Sequence, residues 1–449
     1  MDNIKIDLLR GDINSLDDEI LDLLKQRAEI VKEIGEQKKS NNDVVDVERE
    51  QTVLNRLLQN SKTKYSKDSI VRIWREIFQA STKLQENNIS PINTKRSINS
   101  ISVYKGGKSS LVGKESIIKL SSNENTYGPS PKVLEYINKN NKHLNFHRYP
   151  SIDGLKLREK IASVNGLDPN RIVLGCGSDE TLLFVALAFC KDGDEIIHAE
   201  HGFEMYSIIT KIVGATSKLI KENENYTINI KSILNEVTAS TKVIYLANPN
   251  NPTGTYLSRI EIVDLVNNLP KNIIIVLDGA YAEYVTKDDY DNGFSLVEEF
   301  ENIVITRTFS KVYGLAACRI GWCYSSEKIA LILNKVKGPF NTQTISQEMA
   351  MLALEDKAYL KEVVENNQKI KDWFENELKK LNIESRPTEG NFSFIETTEK
   401  KAKEISAHLT NDGIIVRQLD SYGLPNCLRI TIGTKDEMFA TIESLKKIA

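Results

Sequence analysis

Leu9, Leu16, Leu23 and Ile30 recur every seven residues, and Ile13, Ile20 and Ile34 form a second such series with Arg27 in the same register. This spacing predicts one long amphipathic helix from about Ile4 to Lys39. The stretch contains no proline, and Ser40-Asn41-Asn42-Asp43 ends it. Similar patterning predicts a second helix over about Val47–Gln59 and a third over about Ser66–Gln85. Three helices without strands, one of them this long, close a poor core alone, so the long helix is expected to pack against a second copy of the chain.

The helical region is expected to span 1–88. The polar, unpatterned stretch that follows contains Pro91 and reads as a linker over 89–100. From 101 to 449 short β-branched runs alternate with helical stretches. Strands are predicted at Arg171–Leu174, Glu195–His198, Lys242–Leu246, Ile273–Leu277 and Ile303–Thr306, which implies an α/β domain with a largely parallel sheet over about 126–338. After Gly338-Pro339, a helix-rich stretch leads to strand candidates at Asn391–Glu396 and Leu428–Ile432. These define a smaller α+β domain over about 339–449, joined by the segment preceding 126.

Composition narrows the function. The chain has 449 residues, too many for one core, and a net charge of −3, which argues against a nucleic-acid partner. The longest apolar run, Leu182–Cys190, falls far short of the roughly 20 residues that span a bilayer. Five cysteines without a CxxC motif fit a reduced, cytoplasmic protein, and five histidines without ligand spacing give no reason to expect a metal.

On the first helix, Arg27 and Lys38 are eleven residues apart, which at ~100° per residue leaves them within about 20° on one face. Arg10 lies seventeen residues before Arg27, roughly 25 Å along a straight helix, so it can serve only a partner's site. Asp46, Arg49 and Glu50 open the second helix, and Ser81 and Gln85 share a face of the third. Four cations with neutral hydrogen-bonders suit a small dianion. Singly these are ordinary solvated charges, but jointly the set resembles the all-helical chorismate mutase family over residues 1 to about 88. That resemblance implies a cofactor-free rearrangement of chorismate to prephenate. Arg10, Arg27 and Arg49 would hold carboxylates, Lys38 and Gln85 would donate to the breaking ether, and Glu50 would accept from the ring hydroxyl. A glutamine donates without being protonated.

In the α/β region the strongest motif runs from Thr306 to Arg319, with Lys311 just after a predicted strand. Upstream, Asp278 closes a buried apolar run, with Tyr281 three residues on, where α/β proteins bind ligands. Asn248-Pro-Asn-Asn-Pro-Thr-Gly254 precedes it. Gly175-Cys-Gly-Ser-Asp179 joins a strand to a helix and suits a phosphate. Each piece alone is weak. The ordered set resembles the fold-type-I aminotransferases over residues ~98–449, and within them the histidinol-phosphate branch. Supporting segments are Leu120–Pro131, which contains Asn123, His147–Pro150, His201–Tyr206 and Leu428–Gly433.

The resemblance implies pyridoxal 5′-phosphate as cofactor. Lys311 would bond it covalently and later shuttle the proton, and Asp278 would keep its pyridine nitrogen protonated. Asn251 and Tyr281 would bond its ring hydroxyl, and Phe203 would stack on the ring. Gly177, Ser178, Asp179, Thr308, Ser310 and Arg319 would surround its phosphate, joined by Tyr149 from a neighbouring subunit. Asn123 and Arg429 would contact substrate, Arg429 through the α-carboxylate. Ala317 departs from the family, which commonly has glycine there. The expected architecture is thus multidomain: an all-α three-helix mutase domain, then an α/β pyridoxal-phosphate transferase, as a homodimer acting on small molecules.

Arg417 matches the position that in histidinol-phosphate aminotransferases approaches a distal phosphate, and a distal cation also suits a second carboxylate. The fusion to a mutase shifts the expectation to prephenate, giving arogenate, with phenylpyruvate or hydroxyphenylpyruvate as near alternatives and histidinol phosphate as the runner-up. A reading of another class makes the helical domain a metabolite sensor. Its full set of eight site residues argues for catalysis.

Overall fold

The computed structural model describes residues 2–37, 47–60, 63–85, 94–103, 110–111, 114, 116–140 and 147–448. The chain divides into two compact units, residues 1–100 and 101–449. Among the described residues no helix is long and apolar enough to cross a membrane.

The first unit consists of α1 (Asp2–Gln37), α2 (Val47–Asn60) and α3 (Lys67–Gln85), followed by a single turn at Arg96–Asn99. Both α1 and α2 pack on α3. Among the described residues of this unit the buried apolar ones are few, namely Val31, Leu54 and Phe78. Along the rest of α1 the heptad positions Leu9, Ile13, Leu16, Ile20, Leu23, Ile30 and Ile34 are exposed. The periodic stripe therefore exists, but only the last third of α1 approaches its own unit closely. At Gly35 a Cβ would stand 3.0 Å from Gln85 Cγ, so glycine lets α1 and α3 meet there.

The second unit holds two sheets. Its strands are β1 (Ile118–Leu120), β2 (Ile172–Gly175), β3 (Glu195–Ala199), β4 (Thr216–Ile220), β5 (Thr241–Ala247), β6 (Ile274–Asp278), β7 (Ile303–Thr308), β8 (Gly321–Ser325), β9 (Ser385–Arg386), β10 (Phe392–Glu396), β11 (Ile414–Leu419) and β12 (Leu424–Thr431). The larger sheet has the order β2-β8-β7-β6-β5-β3-β4 and is parallel except at β8, which runs antiparallel to both β2 and β7. Its central strands are covered on both faces, which is why they read as unbroken apolar runs such as Ile274–Asp278.

The smaller sheet has the order β1-β11-β12-β10-β9. Strand β1 comes from the segment ahead of the larger sheet and pairs in parallel with β11. Five strands lie outside the sequence expectations: β1, β4, β8, β9 and β11. Four lack a clean signal. Strand β1 has only three residues and β9 only two, edge strand β4 mixes lysine with partly exposed neighbours, and β8 (Gly-Trp-Cys-Tyr-Ser) is poor in β-branched residues. Strand β11 begins Ile-Ile-Val and was detectable.

Candidate active sites

Strands β6 and β7 lie side by side in register, Asp278 opposite Thr306. Their carboxyl ends deliver Asp278 and, just beyond Thr308, Lys311 to one place. A cavity of about 200 Å³ opens there, lined by Lys311, Asp278, Tyr281, Asn251, Phe203, Thr308, Ser310, Ser178, Asp179 and Arg319. Ten residues singled out from sequence thus share one cavity. Lys311 Nζ donates to the Ser122 carbonyl at 3.1 Å and lies 5.7 Å from the centre of the Tyr281 ring.

Asp278 is buried, and both its oxygens accept hydrogen bonds: Oδ2 from the Tyr206 hydroxyl at 2.9 Å and Oδ1 from Thr306 Oγ1 at 2.8 Å. Burial pushes the carboxyl above its usual range, and the two hydrogen bonds pull against that. Tyr206 is fixed in turn by parallel stacking on Tyr245 at 5.0 Å. Tyr206 and Thr306 were not assigned roles from sequence. Their signals were present: Tyr206 falls three residues after Phe203, and Thr306 faces Asp278 once β6 and β7 are paired.

At the other end of the cavity the helix Ser178–Phe189 begins, so its free N–H groups and dipole favour an anion. Gly177 has φ +81°, and a Cβ there would stand 2.6 Å from Arg319 Nη2. Arg319 donates to Ser310 Oγ at 3.3 Å and to the Ala316 carbonyl at 3.0 Å, and pairs with Asp179 at 3.3 Å. Thr308 Oγ1 donates to Ser310 Oγ at 2.9 Å. Glycine at 177, a helix start, two hydroxyls and a guanidinium together fit a phosphate group, and the Asp278 carboxylate fits a protonated ring nitrogen. Ala317 sits in the short turn Ala316–Cys318, and the left-handed positions around it are Gly314 at φ +68° and Arg319 at φ +46°. A glycine is therefore not required at 317.

Around the cavity, Asn123 Nδ2 donates to the Tyr281 hydroxyl at 2.9 Å. Buried Arg429 donates to Asn251 Oδ1 and, at 3.0 Å, to the Ser121 carbonyl. Arg417 instead pairs with Glu204 at 3.6 Å. Tyr149 lies outside the cavity lining, 82% exposed, with its ring stacked on Phe340 at 4.7 Å.

In the helical unit, Arg27 donates to Ser81 Oγ and lies 5.9 Å from the centre of the Phe78 ring. The Ser81 hydroxyl donates in turn to the Ile77 carbonyl at 2.6 Å. Burial pulls the Arg27 pKa down from its very high starting point. Gln85 Oε1 is buried without a hydrogen-bond partner among the described residues. Arg27, Ser81 and Gln85 thus gather where α1 meets α3. Arg10 is exposed and pairs with Asp7 at 3.2 Å. Arg49 is exposed and Glu50 half-buried. Lys38 and Asp46 lie outside the described residues.

Comparison with known proteins agrees with this division. The model of the family chorismate mutase type II matches residues 9–86, and that of aminotransferase class I and II matches residues 115–445. Histidinol-phosphate aminotransferase of Dinoroseobacter shibae is 42% identical over 358 residues, 80% of this chain and 98% of the relative. That of Cereibacter sphaeroides strain KD131 is 43% identical over 336 residues, 74% of this chain and 91% of the relative. Among solved structures, histidinol-phosphate aminotransferase from Sinorhizobium meliloti in complex with pyridoxal-5′-phosphate superposes with a TM-score of 0.72 at 24% identity, covering 81% of this chain and all of that one. The aromatic aminotransferase of Pyrococcus horikoshii gives 0.66 at 21% identity, covering 74% and 95%. At such identities these two structures establish the fold alone. By sequence, the chain belongs to the class I and II aminotransferases and carries a type II chorismate mutase domain ahead of the aminotransferase.

Proposed function

We propose that the helical unit rearranges chorismate to prephenate and that the α/β unit, with pyridoxal 5′-phosphate as cofactor, transaminates histidinol phosphate. The observation that carries the cofactor reading is the shared cavity of Lys311, Asp278 and the Gly177–Arg319 cradle. When bound, the cofactor supplies an electron sink for the charge that develops at the substrate's α-carbon. Gly177, Ser178, Thr308, Ser310 and Arg319 would hold its phosphate, Phe203 would cover its ring, and Asn251 and Tyr281 would meet its ring hydroxyl. Asp278, braced by Tyr206 and Thr306, keeps the ring nitrogen protonated. Lys311 would hold the cofactor and move the proton at the substrate's α-carbon, while Arg429 would orient the substrate.

The relatives' names favour histidinol phosphate, so the sequence-based preference for prephenate moves to second place. Covalent linkage to a mutase favours prephenate, because tethering raises the local concentration of that product. In the mutase, Arg27 and Gln85 confine the substrate and stabilise charge on the breaking ether, with no acid or nucleophile required. Arg10 completes this site from a second chain, and the exposed stripe of α1 supplies the dimer contact.

Half-reaction spectra of the cofactor-loaded full chain test the order. The amino form of each pair, histidinol phosphate and arogenate, is mixed with enzyme in single turnover. Histidinol phosphate is expected to react at least about tenfold more efficiently, the discrimination a hydrogen-bonding pocket readily reaches. The reverse order makes prephenate the physiological partner.

A further inference from the structure

Arg417 and Arg429 are directly opposed on the antiparallel pair β11 and β12. Both side chains therefore leave the same face of the smaller sheet, and two like charges so placed repel unless each is compensated. They are compensated differently. Arg429 is 5% exposed and held by neutral oxygens, those of Asn251 and Ser121, while its Nε is buried without a partner among the described residues. It stays a net cation awaiting an anion. Arg417 faces a carboxylate. Its Nη2 stands 3.6 Å from Glu204 Oε2, with the two side chains only 14% and 17% exposed.

That separation is an ion pair without a hydrogen bond. The further polar contact of Arg417 is a long one, 3.4 Å to Ser421 Oγ, and the Tyr422 ring lies 5.9 Å away. Attraction between shielded charges holds Glu204 and Arg417 together, and geometry does not lock them. Glu204 directly follows Phe203, a wall of the cavity, and directly precedes the helix Met205–Val213. Glu204 therefore stands one residue beyond the cavity wall, and its carboxylate pairs with Arg417, which like Glu204 is not itself part of that wall.

We infer that Glu204 is a displaceable internal anion that sets the specificity of the aminotransferase. When the amino substrate carries no second anion, Glu204 neutralises Arg417, and no buried cation is left unpaired. When the substrate carries a distal carboxylate or phosphate, that group takes Arg417 and Glu204 gives way. The pocket then accepts both neutral and dianionic amino compounds, and Glu204 weakens the binding of the dianionic ones. This rests on the reading of Arg417 as the cation for the substrate's distal end.

The test uses the cofactor-loaded full chain with L-glutamate as the dianionic probe and L-phenylalanine as the neutral one. Glu204→Gln is expected to lower KM for glutamate about fivefold, the scale of one incompletely buried ion pair, with kcat unchanged. Phenylalanine should lose efficiency or stay constant. Glu204→Asp, which shortens the carboxylate's reach, should move the glutamate KM in the same direction by less. In an Arg417→Gln background the Glu204→Gln change should no longer lower KM for glutamate. A rise in KM for glutamate would mean that Glu204 holds Arg417 in place, and would overturn the inference. So would equal changes for both probes. Wild-type enzyme that processes neither glutamate nor histidinol phosphate would remove the distal-cation reading itself, and the inference with it.

Discussion

The two halves of this chain solve the same problem, gathering polar groups far apart in sequence, with opposite geometry. In the α/β unit, Gly177, Asp278 and the Thr306–Lys311 stretch come from three separate segments, and the carboxyl ends of strands in one sheet bring them together within one chain. Asp278, Lys311 and Arg319 each have a hydrogen-bond partner there. In the helical unit, residues that share a face are strung along a rod at about 1.5 Å per residue, so seventeen residues between Arg10 and Arg27 become roughly 25 Å. Arg10 lies exposed with Asp7, a buried oxygen of Gln85 has no partner among the described residues, and the apolar stripe of α1 meets water. A sheet edge concentrates side chains, whereas a long helix distributes them. The first gathers most of a site within one chain, and the second leaves Arg10 roughly 25 Å from Arg27.

The sharpest break in this comparison is Lys311→Ala. It is expected to cut transamination by at least about a thousandfold, as for loss of a group that both bonds and moves a proton. Mutase turnover in the same protein should stay at the wild-type level. Parallel loss of both activities would mean that the two units do not act independently.

Next in size is subunit mixing in the mutase. Arg10→Ala and Arg27→Ala chains should each lose about a hundredfold or more, as for removal of one charge-stabilising donor. Mixed one to one, they should recover about a quarter of wild-type turnover, because random two-fold pairing gives half the dimers one intact site of two. Heterodimers confirmed by mass without any recovery would return Arg10 to its own chain's surface.

The smallest effect concerns Tyr206. Its hydroxyl is one of two bonds that hold down the Asp278 carboxyl against burial. Tyr206→Phe removes a downward pull, so that carboxyl rises further and stays protonated to higher pH. The acid limb of the transamination profile should therefore move upward in pH, with kcat near neutrality falling about tenfold and KM little changed, the scale of one charge-assisted hydrogen bond. A drop in rate with an unmoved acid limb would assign Tyr206 to packing alone.

What could be read from sequence follows the same division. The helices of the first unit were visible to within a few residues because seven-residue periodicity is local. The buried parallel strands were visible because burial on both faces leaves continuous apolar runs. The cavity's main groups were visible because each sits at a strand end or glycine turn with its own local motif. Pairing was the hidden information. Thr306 matters only because β6 and β7 align it with Asp278, and Tyr206 only because the helix Met205–Val213 lays its ring beside that carboxylate. Glu204 gains its partner only because β11 brings Arg417 to it.

Strand β1 has a practical meaning for anyone who wishes to separate the two enzymes. It is three residues long, yet it is stitched to β11, and the residues after it enter the active centre at once: Ser121 meets Arg429, Ser122 meets Lys311 and Asn123 meets Tyr281. A cut made where the larger sheet begins, near Ile172, would leave a stump lacking part of its own reaction chamber. The excision point for a working transferase lies upstream not only of Ile118 but of Lys114, which donates to the Asn411 carbonyl, so a designer who shortens, stiffens or replaces the connection has to stop before that lysine.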